Sequence, residues 1–221
     1  MIDLKETQKV DPVIKQQVKE LDNMENSPMD PPTAYEGTIV STEGMYHEVI
    51  KQLMDEHINC LAQVEAFEKA LTVFKTNGYK LDEGVNSIFS SFFKFYDNNL
   101  MKHNEKEDKV LFPLLHQKLI ERGEHSVGEN PMTAIDVMED DHVKFIQLGT
   151  LTFNLLGVAT RIQDVVSRNF VFDVAFENGR EFVELLKLHI YREDQTLFPL
   201  AQKFLSKEEL DAMILPLKKY N

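Results

Sequence analysis

One eleven-residue pattern occurs twice and constrains this chain more than any other feature of it. The copies are His103-Asn-Glu-Lys-Glu107-Asp-Lys-Val-Leu111-Phe112-Pro113 and, 86 residues later, His189-Ile-Tyr-Arg-Glu193-Asp-Gln-Thr-Leu197-Phe198-Pro199. In each, a glutamate follows a histidine by four positions, and Leu-Phe-Pro begins four positions after the glutamate. On a helix, positions i and i+4 share one face, so each copy aims an imidazole and a carboxylate at the same point. Two such helices facing each other would enclose a mixed nitrogen and oxygen cage.

The apolar pattern supplies the helices. From about Glu43 to Lys75, Val49, Ile50, Leu53, Met54, Leu61, Val64, Phe67, Leu71 and Phe74 step by three and four, until Asn77-Gly78 closes the run. A second stripe begins near Asp82 and carries Ile88, Phe89, Phe92, Tyr96, Leu100, His103, Glu107, Val110, Leu111 and Leu114; Pro113 should kink it or limit its last turns. A third helix is expected from Thr133 towards Ser167, with Ile135, Met138, Phe145, Ile146, Phe153 and Leu156 buried. The fourth is expected from about Asn169 to Phe204. Ser206-Lys-Glu-Glu209 has capping-box spacing and opens a short last helix to about Leu215. No strand-like alternation appears. The expected fold is all-α, an antiparallel up-down-up-down four-helix bundle. Residues 1–40, broken by Pro28, Pro31 and Pro32, form an N-terminal arm, and 41–221 form the bundle. Its two helical hairpins span about 43–122 and 132–204.

Two further histidines complete the duplication. His57 lies on the first helix's apolar stripe and His142 on the third's. They precede the motif histidines by 46 and 47 residues, and acids stand before both, Asp55-Glu56 and Asp140-Asp141. The chain thus reads as one hairpin written twice, each copy bringing His, His and Glu. The candidate metal ligands are His57, His103, Glu107, His142, His189 and Glu193. Four imidazoles and two carboxylates without sulfur suit iron, manganese or zinc. Six side chains exceed the four that close one tetrahedral zinc, and match two ions bridged by both glutamates. Coordination positions left over would take an oxo or hydroxo bridge and a small exogenous ligand.

A lone histidine on an apolar face is more often a hydrogen-bonded core residue, and a lone His-x-x-x-Glu is a surface pair worth a few tenths of a kcal/mol. Neither accounts for four such histidines at duplicated spacing with both glutamates on the same stripe. The ferritin-like signature puts the acid first, Glu-x-x-His. Glu139-Asp-Asp-His142 fits it once, but the first repeat has Met54 at the corresponding place. His47, His116 and His125 fall outside the repeat. The run Phe89, Phe92, Phe93, Phe95 and Tyr96 reads as core, with Tyr96 a candidate to line the cavity. Cys60, one turn after His57, reads as a small apolar filler.

With these residues in view, the chain resembles the hemerythrin-like family, the HHE cation-binding domain, over about residues 43–204. The resemblance implies a non-haem di-iron centre in an antiparallel four-helix bundle. Oxygen-carrying hemerythrins have a fifth histidine four residues after the third helix's ligand, where this chain has Ile146. They also end in His-x-x-x-x-Asp, where this chain has His-x-x-x-Glu193. The four-His, two-Glu set looks more like bacterial proteins that repair iron centres after nitrosative stress. Those usually carry a cysteine-bearing N-terminal module, whereas residues 1–40 contain no cysteine.

Composition narrows the setting. The net charge of −13 argues against nucleic acid or an anionic membrane as partner. A single cysteine excludes an intrachain disulfide and a thiolate cluster. No apolar run serves as a signal peptide or reaches the ~20 residues of a membrane span, so a cytoplasmic location is expected. The expected function is that of a di-iron protein binding O2, NO or peroxide, in sensing, storage or nitrosative and oxidative defence. Manganese or zinc are the alternative metals. The competing expectation is a regulatory or interaction module that uses metal to fold, with the arm contacting a partner or a second subunit.

Overall fold

The computed structural model describes residues 46–220. The expected N-terminal arm, and any pairing of subunits through it, lies outside the described residues. Helix α1 spans Glu48–Thr76. His47 caps its start, its Nδ1 accepting the Val49 amide at 3.3 Å. The chain leaves α1 through Asn77, then Gly78 and Tyr79 at positive φ (73° and 63°), a reversal that the expected Asn-Gly stop delivers.

The second rod is a sequence of helical segments. Helix α2, Glu83–Phe95, begins at an Asp82 cap; α3 is Met101–Lys106 and α4 is Phe112–Glu121. Wide π turns at Tyr96–Leu100 and Glu107–Leu111 join them. Pro113 does not shorten the rod. It occupies the first turn of α4, where a missing N–H costs little, and the adjustment falls in the π turn before it.

Helix α5, Ala134–Ala159, opens with a complete capping box between Thr133 and Asp136. It ends eight residues short of the expected Ser167. Asp164 accepts the Ser167 amide and starts α6, Val165–Arg192, so the turn between them falls before Val165 instead of after Ser167. A third π turn, Glu193–Leu197, leads into α7, Phe198–Phe204. Helix α8, Lys207–Leu217, has the predicted Ser206–Glu209 capping box. It runs through Pro216 rather than stopping before it.

Helix α5 packs along α6, and α1 lies against α2 and α6. Two apolar clusters result. One, rich in rings, includes Phe67, Phe74, Phe89, Phe92, Phe145, Phe172 and Phe182. The other, mostly aliphatic, joins the starts of α1 and α5 to α4, α7 and α8 through residues such as Ile50, Leu53, Leu115, Met138 and Leu210. Three residues expected in the core are not there: Ile88 is partly exposed, and Ile146 and Phe153 are 52% and 57% exposed. The inward stripe of α5 is Ile135, Met138, His142, Phe145, Gly149, Thr152, Leu156 and Ala159. Positions 146 and 153 fall one residue past it, about 100° around the helix. No helix of the described residues is long and apolar enough to cross a membrane.

Candidate metal centre

All six predicted residues meet in a layer between the two apolar clusters. His57 comes from α1, His103 from α3, His142 from α5 and His189 from α6. Glu107 and Glu193 each open a π turn. All six are buried, both glutamates completely. Their donor atoms fall into two groups that could hold a metal ion, His57–His103–Glu107–Glu193 and Glu107–His142–His189–Glu193, each with its atoms within 4.8 Å of one another. Both glutamates belong to both groups. Glu107 divides its oxygens, Oε1 at 3.3 Å from His103 Nε2 and Oε2 at 3.4 Å from His142 Nε2. Glu193 uses one oxygen twice, Oε2 at 3.3 Å from His57 Nε2 and 3.2 Å from His189 Nε2.

These contacts have ion-pair distances without hydrogen-bond geometry. All four carboxylate oxygens of Glu107 and Glu193 are buried and lack a hydrogen-bond partner among the described residues. Leaving such groups unmatched is costly, so the layer is built for positive charge.

The histidines are held from outside. His57 Nδ1 donates to Asp194 at 2.9 Å, His103 Nδ1 to Glu56 at 2.9 Å, and His142 Nδ1 to Asp108 at 2.8 Å. His189 Nδ1 stands 3.6 Å from Asp141. A carboxylate at Nδ1 fixes the tautomer and leaves Nε2 as a lone-pair donor. In the first pocket the two Nε2 atoms then face each other at 2.9 Å, and in the second the separation is 3.2 Å. Two lone pairs so close need a proton or a metal ion between them. Donors held at right angles by an ion about 2.1 Å away stand about 3.0 Å apart, so the spacing suits a shared metal.

Proton affinities show the same demand. Burial opposes charge on His57 and His142. A hydrogen bond to Asp194 and the charge of Glu193 in the one case, and a hydrogen bond to Asp108 and the charge of Glu107 in the other, outweigh it and raise both to about 10. His103 and His189 are raised against the same desolvation, by Glu107 and Glu193 respectively. Burial and its neighbour Glu193 push Glu107 upward, yet His103 and His142 hold it below the usual carboxylate range. Burial likewise pushes Glu193 upward, and His189 and His57 hold it well below. A metal pair would supply the positive charge that the protons supply here.

Of these outer acids, Glu56 and Asp141 belong to the acid pairs that the sequence places before His57 and His142, whereas Asp108 and Asp194 were missed. Their signal is the acid directly after each motif glutamate, legible only once the opposite hairpin is known to supply the histidine. Also missed was the base three residues after each motif histidine. Lys106 Nζ lies 2.7 Å from Glu56, and Arg192 lies 3.6 Å from Asp141. The Leu-Phe-Pro phenylalanines cross over as well: Phe198 stacks on His57 and Phe112 on His142, at 5.5 and 5.7 Å between ring centres. Tyr96 is buried against Phe182, and its hydroxyl donates to the Phe145 carbonyl at 3.1 Å. His47, His116 and His125 bond elsewhere.

The family described as "Hemerythrin HHE cation binding domain" matches residues 48–201. No curated protein and no solved structure matches the chain.

Proposed function

The chain belongs to the hemerythrin HHE cation-binding family, and from that premise we propose that it is a non-haem di-iron protein whose centre binds a small ligand such as O2, NO or peroxide. His57, His103, His142 and His189 would each contribute Nε2, and Glu107 and Glu193 would be shared between the two ions. The observation that carries this reading is the pair of Nε2 atoms 2.9 Å apart, each oriented by a carboxylate at Nδ1, beside glutamate oxygens without hydrogen-bond partners. We take the rods as an antiparallel up-down-up-down bundle around this layer.

Two adjacent iron ions, when bound, supply one-electron chemistry towards a small ligand. The protein's own residues do the rest. Glu107 and Glu193 balance charge, and the outer acids keep the imidazoles in the metal-binding tautomer. Phe112, Phe145 and Phe198 cover the layer with apolar surface and limit water. The set of four histidines and two glutamates supports the stress-repair subtype over an oxygen carrier, with action in nitrosative or oxidative defence.

Metal analysis with absorption spectra under O2 and under NO tests the proposal. The expected result is about two irons per chain after growth in iron-supplemented medium and a visible spectrum that changes with NO. Less than one metal per chain, and no effect of His103→Ala on metal content, would overturn it. Reversible O2 spectra without any response to NO would point instead to a carrier.

A further inference from the structure

The two pockets share both glutamates and each adds two histidines, yet their surroundings differ. In the pocket of His57 and His103, both imidazoles are fixed by carboxylates at 2.9 Å. Glu56, which holds His103, is itself held by Lys106 at 2.7 Å and Gln52 at 3.1 Å. In the pocket of His142 and His189, only His142 is fixed, by Asp108 at 2.8 Å. His189 Nδ1 and Asp141 Oδ2 stand 3.6 Å apart, and neither has a hydrogen-bond partner among the described residues.

Access differs too. Three residues after His57 the chain has Cys60; three residues after His142 it has Phe145. Phe145 is fully buried and presents its edge to His189 at 5.0 Å, closing that side. Beside Cys60 lies a cleft of about 760 Å³, whose walls include Cys60, His103, Glu56, Lys106, Asn59 and Asn99. The cleft reaches the outer edge of His103, and on its walls the acids Glu48, Asp55 and Glu56 are matched by Lys51, Lys102 and Lys106.

We infer that the two metal positions are unequal, and that the His57–His103 pocket captures the first equivalent of a divalent metal. Glu56 and Asp141 are the positioning residues that set the order. An imidazole already locked in its ligating tautomer and orientation gives up less freedom when metal arrives, and outer carboxylates of this kind change metal affinity by about 10–100-fold. This inference rests on the di-metal reading above.

The test uses the full chain, stripped of metal and titrated anaerobically with Mn(II), followed by calorimetry and electron paramagnetic resonance. Two binding steps are expected, with the isolated-ion spectrum of Mn(II) at one equivalent and a spin-coupled pair only at two. Glu56→Gln should weaken the first step by about tenfold or more, and Asp141→Asn the second. Circular dichroism of both metal-free variants establishes that they fold. A coupled-pair spectrum from the first addition, or equal effects of the two variants on both steps, would overturn the inequality while leaving the di-metal reading intact. No Mn(II) or Fe(II) binding by the wild-type chain would instead remove the di-metal reading itself.

Discussion

The metal layer separates two cores of different make. Towards the Asn77–Tyr79 turn the core is built of rings: Phe67 stacks on Phe92 at 3.9 Å, and Phe74 meets Phe89 and Phe172 edge-on at 5.6 and 5.0 Å. Towards α8 it is built of Val, Ile, Leu and Met around Phe112 and Phe198. The ring end draws on α2 and the long helices α1, α5 and α6; the aliphatic end draws on the starts of α1 and α5 and on the short helices α4, α7 and α8. Paired rings hold fixed mutual geometry, whereas the methionines of the other end adapt to what they cover. The rigid end thus sets the helix spacing, while the adaptable end carries the two phenylalanines that stack on His57 and His142. What differs is the coupling to the site. The aliphatic end is attached to the histidines through both copies of Leu-Phe-Pro, and the ring end meets them chiefly through Phe145.

That contrast can be tested by force first. Phe67→Ala should lower stability by about 3–5 kcal/mol and Leu115→Ala by about 2–5 kcal/mol, read from urea unfolding. If the contrast is right, metal should offset a larger fraction of the loss at Leu115 than at Phe67. Equal rescue at both ends would break it. Gly149→Ala comes next. A Cβ there would lie 2.6 Å from the Tyr96 ring, beside the first π turn. Such overpacking costs about 1–3 kcal/mol, and a thermal melt matching wild type would show that the ring end yields more readily than argued.

Acidity probes the layer between the ends. Histidines 57 and 142, raised from 6.5 to about 10, stabilise the metal-free fold fully below pH 6.5 and lose that contribution as pH rises towards 10. Glu56 is lowered from 4.5 to about 2: burial opposes its ionisation, but hydrogen bonds from His103, Lys106 and Gln52 prevail. It therefore contributes above pH 4.5 and fades as pH falls towards 2. Metal-free protein should be most stable between these limits and weaken towards pH 10, whereas loaded protein should not weaken over the same alkaline range. Melting curves across pH with and without metal decide it, and identical profiles would mean the layer does not carry the charge balance described. The smallest effect is expected for Ile146→His. The position is half exposed on the outer side of α5, so metal stoichiometry and the visible spectrum should stay as in wild type. A changed spectrum would mean that α5 turns this residue inward when loaded.

The convergence of the six candidate ligands was legible because helical periodicity puts a histidine and a glutamate four apart on one face, and because the pattern is written twice. The supporting contacts were not. Asp108 serves His142 and Asp194 serves His57, pairs 34 and 137 residues apart, and no local period reveals which hairpin faces which. The α5–α6 turn was misplaced since Val165, Val166 and Phe170 prolong the apolar pattern although all three are exposed. Ile146 and Phe153 were misassigned for a related reason: at i+4 and i+11 from His142 they lie at the margin of a stripe whose centre only the packing defines. The family match over residues 48–201 covers the legible part and is silent on these finer contacts.

The π turns that begin at Glu107 and Glu193 have a consequence for how this centre could change over time. A π turn holds one residue more than an α turn, as if a single residue had been inserted into a regular helix. Removing Lys109 or Val110 would restore regular winding and rotate Leu111 and Phe112 by about 100° relative to His103 and Glu107. The chelating pair would survive while its apolar floor swung aside. Binding the metal and shielding it from water are thus written in separate registers of one helix, and a length change of one residue can alter the second without touching the first.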